Sequence, residues 1–362
     1  MKQKLSLFTI LVIIMAIISL LCINSASHLL NNNILFKQIL WYIIGFSITY
    51  IITRINNDKI YKNIWYLYWA NIILLILLLL FATPINNSKC WFNFGFITFQ
   101  PSEFMKIVLI LVLGITIDKF NNNYKKHTIK DEFIFLIKIA FIVLIPSILT
   151  FLEPDTGVVL IYIIITITML FISGIKYRWF LICFMSIFLF VISILIIYKF
   201  YNEAFINIFG TSFLMRIDRL LDWSSKNGYQ LNNSLSAIGG AGLLGFGFNN
   251  TPIYFPEADT DFIFTILSSN IGFIGSFIFI ILLTYFDILL IKLAIKTKKR
   301  LNKYIISGII GMLLYSQFQN IGMTFGLIPI TGITLPFISY GGSSLISYMI
   351  ILGIILNIEK NS

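Results

Sequence analysis

The 362-residue chain is 58% hydrophobic and only 11% charged, with a mean hydropathy of +0.92. Water-soluble domains carry about 25% charged residues, so this composition excludes an ordinary soluble protein. The three cysteines and two histidines form neither a disulfide framework nor a metal-ligand cluster, and the sequence predicts no metal site.

About ten apolar stretches approach or reach the roughly 20 residues that a helix needs to cross a bilayer. The chain is therefore predicted to be an all-α polytopic membrane protein, because backbone groups in lipid must be satisfied within their own helix. The first apolar stretch resembles a signal peptide, but its length and the spans after it favour an uncleaved helix. The predicted spans lie near residues 5–23, 34–52, 64–83, 103–117, 133–152, 157–173, 179–200, 262–291, 304–328 and 337–358.

The charges give the orientation. With both termini in the cytoplasm, eighteen of the 26 Lys and Arg residues fall on inner segments, as the positive-inside rule requires. The net charge of +11 is thus explained by topology and requires no nucleic acid partner. Nine of the 15 acidic residues fall on outer segments or helix mouths, so carboxylate chemistry is predicted on the outer face. Residues 1–362 form one membrane domain, with a large outer loop over residues 201–261 between spans seven and eight.

Residues 90–107, CWFNFGFITFQPSEFMKI, lead into the fourth span. Trp91 suits the membrane interface, and Pro101 suits the first turn of a helix. Glu103 and Lys106 lie near one helix face at the outer mouth. Ionisable residues there indicate a functional site, although a mutual ion pair explains them equally well. The EPDTG segment at residues 153–157 is explained by turn chemistry alone.

The large outer loop contains Arg216 and Arg219, which share one face if that stretch is helical. Guanidinium groups suit phosphate oxygens, but pairing with nearby aspartates or lipid headgroups is the competing interpretation. The glycines between residues 239 and 247 disfavour a regular helix and lack the nucleotide-loop pattern. They permit close approach of the backbone to a ligand or another segment, although a flexible re-entrant segment is the favoured interpretation.

Residues 251–264, TPIYFPEADTDFIF, place Glu257, Asp259 and Asp261 just before an apolar helix. A helix cap explains one of these acids. A partly desolvated carboxylate at a helix mouth has a raised pKa and suits a general base, so both interpretations stay open. Residues 326–346 break a helix at membrane depth, which requires protein or a wet cavity around the backbone. There the Ser343 hydroxyl either faces a cavity or bonds its own helix backbone.

Five segments in this order (FQPSE, EPDTG, GYQL with the following glycines, PEADTDFIF and GITLPFISYGGSS) make the chain resemble the FtsW/RodA/SpoVE family of membrane glycosyltransferases. The resemblance implies polymerisation of lipid II into peptidoglycan in the bacterial plasma membrane, beside a class B penicillin-binding protein. The resemblance implies no certain cofactor, and it leaves open whether a divalent cation binds at the diphosphate. Asp261 matches the family's essential aspartate, the expected general base of an inverting transfer. The substrate-binding residues expected with it are Arg216, Arg219, Glu103, Lys106, Trp91, Glu257 and Ser343.

Some positions depart from the family pattern: Cys90 stands in place of an arginine, Asn93 in place of an acid, Ser269-Asn270 in place of a glutamate pair, and Asn233 in place of a glutamine. Two other functions therefore stay open. One is a transporter that flips lipid-linked precursors, although the sequence shows no internal repeat. The other is a non-catalytic scaffold for the penicillin-binding protein.

Overall fold

The computed structural model describes residues 6–30, 34–83, 89–95, 98–123, 128–200 and 228–361. Arg216, Arg219 and the first part of the predicted outer loop lie outside these residues. A two-residue antiparallel hairpin, β1 (Phe92–Asn93) and β2 (Thr98–Phe99), precedes α5. The helices are α1 (Leu7–Leu30), α2 (Leu35–Arg54), α3 (Asn57–Lys62), α4 (Ile64–Phe81), α5 (Pro101–Asn123), α6 (Ile129–Leu152), α7 (Thr156–Ile172), α8 (Arg178–Phe200), α9 (Tyr229–Gly240), α10 (Ile263–Lys296), α11 (Arg300–Thr324) and α12 (Gly342–Lys360).

Each of the ten predicted spans coincides with a helix, and among the described helices only the short α3 and α9 were not predicted. Six of the described helices, α1, α2, α4, α6, α10 and α12, are long and apolar enough to cross a membrane. The chain is a multi-pass helical membrane protein, as the sequence predicts.

For the last two predicted spans, the end of the first (residue 328) and the start of the second (residue 337) were wrong. Helix α11 ends at Thr324 and α12 begins only at Gly342, so residues 325–341, the broken segment, are not helical. Two prolines remove backbone donors here, and Gly326 and Gly332 adopt positive φ angles of 68° and 71°. Neighbouring helices satisfy its carbonyl groups: Tyr42 donates to Phe337 O at 2.5 Å, Ser19 to Ile338 O at 2.6 Å and Gln319 to Pro329 O at 2.7 Å. The predicted break in the helix is confirmed, and protein covers it.

Helix α10 is also broken, at Gly272, where φ is 66° and ψ is −164°. The segment after α9, residues 241–248, lies across this break and is called the glycine loop. A Cβ on Gly245 would lie 2.3 Å from Asn270 O, so only glycine permits the contact. Four backbone hydrogen bonds join the two elements: Phe246 N to Ser269 O, Gly247 N to Asn270 O, Phe273 N to Gly242 O and Ile274 N to Leu243 O, at 2.8–3.1 Å.

Helix α5 lies at the centre of the bundle. It contacts α4, α6, α7, α11 and α12, and its side chains are buried almost all round. Neighbouring helices rather than lipid therefore surround most of its length. The polar residues at the start of α5 therefore lie where several helix ends meet.

Candidate active site

A cavity of about 480 Å³ opens at the end of the bundle where α5, α7 and α12 begin. Its walls come from α2, the hairpin, the α6–α7 turn, the loop before α10, the broken segment and the start of α12. The predicted general base and five predicted substrate-binding residues line it: Asp261, Glu103, Lys106, Trp91, Glu257 and Ser343. Residues that are far apart in sequence thus meet in one place.

The position of Asp261 is fixed through its backbone. Asn320, on α11, donates from Nδ2 to the main-chain oxygens of Asp261 at 2.9 Å and of Ile333 at 2.8 Å. In the preceding residue, Thr260 O accepts a hydrogen bond from Ser339 Oγ at 2.7 Å. These contacts tie the loop before α10 to α11 and the broken segment. They leave the carboxylate of Asp261 free to meet a substrate.

The electrostatic surroundings suit a proton acceptor. Burial raises the pKa of the Asp261 carboxyl group from 3.8 to about 7, and repulsion from Glu257, Asp259 and Asp155 adds to the rise. No hydrogen bond to either of its carboxylate oxygens forms within the described residues. Gly332 lies beside the group, and a Cβ there would lie 3.5 Å from Asp261 Oδ2, in ordinary van der Waals contact. A carboxylate with a pKa near 7 is well matched to general base catalysis at neutral pH.

Glu103 and Lys106 form the ion pair that the sequence left open. Lys106 Nζ lies 2.6 Å from Glu103 Oε2, with side chains only 1% and 7% exposed. Ser347 donates to the same glutamate oxygen at 3.3 Å, and the ammonium group lies 5.1 Å from the centre of the Tyr348 ring. Both residues of the pair also line the cavity, so the ion pair is confirmed and the substrate-binding role stays a prediction.

Asp155 lines the same cavity, and sequence reasoning missed it as a site residue. Its Oδ1 caps α7 by accepting a hydrogen bond from Val158 N at 3.1 Å, and its Oδ2 accepts one from Gln100 Nε2 at 2.8 Å. Burial raises the pKa of this carboxyl group to about 6. The signal was present, because Gln100 and Asp155 belong to two of the five segments that carry the resemblance.

Ser343 bonds the hairpin rather than its own helix. Its Oγ accepts a hydrogen bond from Gln100 N at 3.0 Å and donates to Thr98 O at 3.1 Å. The alternative that it bonds its own helix backbone was wrong, because the start of α12 lies against β2. Ser343 therefore fixes one cavity wall to another.

Among the residues that differ from the family pattern, Cys90 is the one that lines the cavity. Its thiol donates to Glu153 O at 2.9 Å. The Glu153 side chain is fully buried, and neither of its carboxylate oxygens has a hydrogen-bond partner in the described structure. Burial raises the pKa of Glu153 to about 9, with repulsion from Asp155 adding to the rise. The arginine that the family usually has at this position is replaced by a residue that cannot neutralise a carboxylate.

The other residues that differ from the family pattern do not line the cavity. Asn270 Oδ1 accepts a hydrogen bond from Ser25 at 3.0 Å, and Ser269 donates to Thr251 at 3.2 Å. Asn233 donates to Tyr254 O at 2.8 Å, and Asn93 accepts a bond from Gly95 N at 2.9 Å. These residues hold loops in place. Across the described ranges, no group of three or more His, Cys, Asp or Glu side chains is placed to hold a metal ion.

Known proteins were compared with the chain. The model of the FtsW/RodA/SpoVE family, described as "Cell cycle protein", matches residues 2–362. The probable peptidoglycan glycosyltransferase FtsW of Wigglesworthia glossinidia brevipalpis is 34% identical over 96% of this chain and 91% of its own length. Stage V sporulation protein E of Bacillus subtilis is 33% identical over 76% of this chain and 73% of its own.

Solved structures share the fold. A chain from a peptidoglycan synthase complex that coordinates polymerization and crosslinking gives a TM-score of 0.81 at 23% identity, covering 98% of this chain and 97% of that one. The rod shape determining protein RodA of Thermus thermophilus gives a TM-score of 0.71 at 23% identity, covering 98% and 96%. Because the family model spans nearly the whole chain and a relative is more than 30% identical over most of its length, the chain belongs to the FtsW/RodA/SpoVE family of membrane proteins.

Proposed function

We propose that the protein is a peptidoglycan glycosyltransferase that polymerises lipid II into glycan strands. The observation that carries this proposal is the Asp261 carboxylate, which lines the cavity with a pKa near 7 and no hydrogen-bonded partner among the described residues. The relatives named as probable peptidoglycan glycosyltransferases support the same reaction. The flippase and scaffold alternatives are not favoured by these names.

In the proposed reaction, the 4-hydroxyl oxygen of the acceptor sugar attacks the anomeric carbon of the donor glycan. The bond from that carbon to the diphosphate oxygen breaks, and undecaprenyl diphosphate leaves. Asp261 takes the proton of the attacking hydroxyl group as the new glycosidic bond forms with inversion. A base of pKa near 7 is ionised in about half of the molecules at neutral pH and is strong enough to assist the attack.

The other cavity residues bind and position the substrate in this proposal. Glu257 and Ser343 offer hydrogen-bonding groups to sugar hydroxyls, and Trp91 offers an apolar ring face. The Glu103–Lys106 pair holds the start of α5 in place beneath them. Arg216 and Arg219 stay predictions for the diphosphate, since they lie outside the described residues.

We also infer the setting of the reaction. The proposed partner is a class B penicillin-binding protein, which cross-links the peptides of the new strand. The similarity to a chain from a peptidoglycan synthase complex supports an assembly of this kind. The proposed location is the bacterial plasma membrane, with both termini in the cytoplasm and the cavity on the outer side, as the distribution of basic residues favours.

The test is glycan synthesis from purified lipid II by the full-length protein in proteoliposomes, followed by gel separation of the strands. We expect strands from the wild type and loss of at least 100-fold in rate for Asp261→Asn, because general base catalysis contributes about 10² to 10⁴. Asp259→Asn is the matched control, since Asp259 belongs to the same loop but does not line the cavity. Equal rates for Asp261→Asn and the wild type would reject the assigned base. Lipid II translocation without strand formation would favour a flippase.

A further inference from the structure

The charges that line the cavity are unevenly matched. Four carboxylates face it, from Glu103, Asp155, Glu257 and Asp261, together with two ammonium groups, from Lys37 and Lys106. The charge of Lys106 is already engaged by Glu103 at 2.6 Å. A diphosphate that enters this cavity would meet repulsion from the carboxylates unless a free cation lies nearby. Among the described lining residues, Lys37 is that cation.

Lys37 lies in the first turn of α2, near the mouth of the cavity. Its side chain is exposed and forms no ion pair with any described residue. No described acidic side chain therefore competes with a ligand for this ammonium group. Sequence reasoning overlooked it, because the positive-inside argument deals with inner lysines and the search for outer cations stopped at the two arginines.

The face of α2 that carries Lys37 is turned toward the start of α12. Trp41 follows Lys37 by one helical turn and so shares its face. The Trp41 ring packs directly on Gly342, where a Cβ would lie only 2.6 Å from the ring. The neighbouring Gln38 donates to Ser339 O, in the broken segment, at 3.4 Å. The lysine is thus held on the cavity wall formed by α2 and the first turn of α12.

The same wall presents backbone donors. Gly342, Ser343 and Ser344 line the cavity, and no acceptor for their peptide N–H groups exists within the described part of the chain. The N-terminus of a helix carries partial positive charge and favours anions. This feature supplements the free charge of Lys37, on which the inference depends.

We propose that Lys37 binds the diphosphate group of the lipid-linked donor. This inference rests on the proposed function and adds a substrate-binding residue to it. As the bond between the anomeric carbon and the diphosphate oxygen breaks, negative charge grows on the diphosphate, and the Lys37 ammonium group stabilises it. The lipid chain then extends from the wall of α2 and α12 toward the bilayer, while the sugars reach Asp261 deeper in the cavity.

The experiment compares Lys37→Met with Lys37→Arg, which restores the charge, and with Lys89→Met. Lys89 is a matched control, since its Nζ donates to Leu79 O at 3.1 Å and the residue does not line the cavity. Two readouts are used: the KM for lipid II in strand synthesis, and the Kd for undecaprenyl diphosphate. The Kd is measured from the fluorescence of tryptophans, two of which, Trp41 and Trp91, line the cavity. Lys37→Gln serves as a second neutral variant if Lys37→Met does not fold.

We expect the neutral variants to raise both KM and Kd about tenfold, the size of one charge-assisted hydrogen bond to phosphate. Lys37→Arg and Lys89→Met should stay within about twofold of the wild type, so that the effect follows the charge at position 37. Binding of undecaprenyl monophosphate should weaken less. Unchanged Kd in the neutral variants, or no binding of the lipid diphosphate to the wild type, would overturn the proposal. If the wild type binds the lipid diphosphate but makes no strands, the proposed function fails, and the Kd values alone decide the role of Lys37.

Discussion

Replacement of Asp261 by asparagine is expected to inactivate the protein and to stabilise it. The rise in the pKa of this carboxyl group from 3.8 to about 7 means that the folded protein resists its ionisation. At about 1.4 kcal/mol per unit, the wild type loses up to about 4 kcal/mol of folding free energy when the group is charged. Water in the cavity screens part of this cost, so the expected gain for Asp261→Asn is about 2 to 4 kcal/mol.

The sign of this effect depends on pH in a defined way. Well below pH 4 the carboxyl group is protonated in both the folded and the unfolded protein, so the substitution brings no gain. Between pH 4 and pH 7 only the unfolded protein releases the proton, and the gain grows with pH. Above pH 7 both states are ionised and the gain stays constant.

The assay is thermal unfolding of the wild type and of Asp261→Asn in the same detergent, from pH 4 to pH 8.5. The other carboxyl groups with a raised pKa are present in both proteins, so their effects largely cancel in the difference in Tm. Asp259→Asn is informative beside it, because burial raises the pKa of Asp259 to about 6 and its gain should level off one pH unit earlier. A difference in Tm that does not change with pH would refute the reasoning. Strand synthesis by the wild type should correspondingly fall about 15-fold between pH 7 and pH 5.5 as Asp261 becomes protonated.

Three further substitutions test the surroundings of the base. Gly332→Ala should lower the free energy of unfolding by about 1 to 2 kcal/mol, since alanine is strained at a φ of 71°. It should also move the pH midpoint of activity upward, because its methyl group would replace water beside the Asp261 carboxylate. Lys106→Met should cost about 3 to 5 kcal/mol by leaving the Glu103 carboxylate buried and unpaired, and a second substitution, Glu103→Gln, should recover most of it in thermal unfolding. Glu153→Gln should stabilise the protein at neutral pH, with a gain that keeps growing to about pH 9 when Tm is followed against pH.

The helical spans and much of the cavity wall were predictable from the sequence, because each depends on a local pattern. A run of apolar residues identifies a helix in lipid, and Glu103 and Lys106 are close by helical periodicity alone. The sequence placed Asp261 just before an apolar helix, and in the structure it precedes α10 and lines the cavity, while its role as the base stays a prediction.

Other features arise only from packing. The bend at Gly272 follows from the approach of the glycine loop, which no local rule indicates, since glycine also occurs in unbroken membrane helices. Turn chemistry alone accounted for Asp155 in the sequence. Its contact with Gln100 was not expected, because it joins segments 55 residues apart. The role proposed for Lys37 depends on the wall that Trp41 and Gly342 form, which is a tertiary contact.

The junction between α10 and the glycine loop restricts how segments can be exchanged between relatives. The four peptide hydrogen bonds that cross it give each strand of backbone a fixed partner. Adding or deleting one residue between Gly242 and Gly247 would move the two ends of the loop out of register with each other, so that all four hydrogen bonds could not form together. Chimeric proteins should therefore transfer the glycine loop and α10 together as one cassette, because either one alone would arrive out of register with the other.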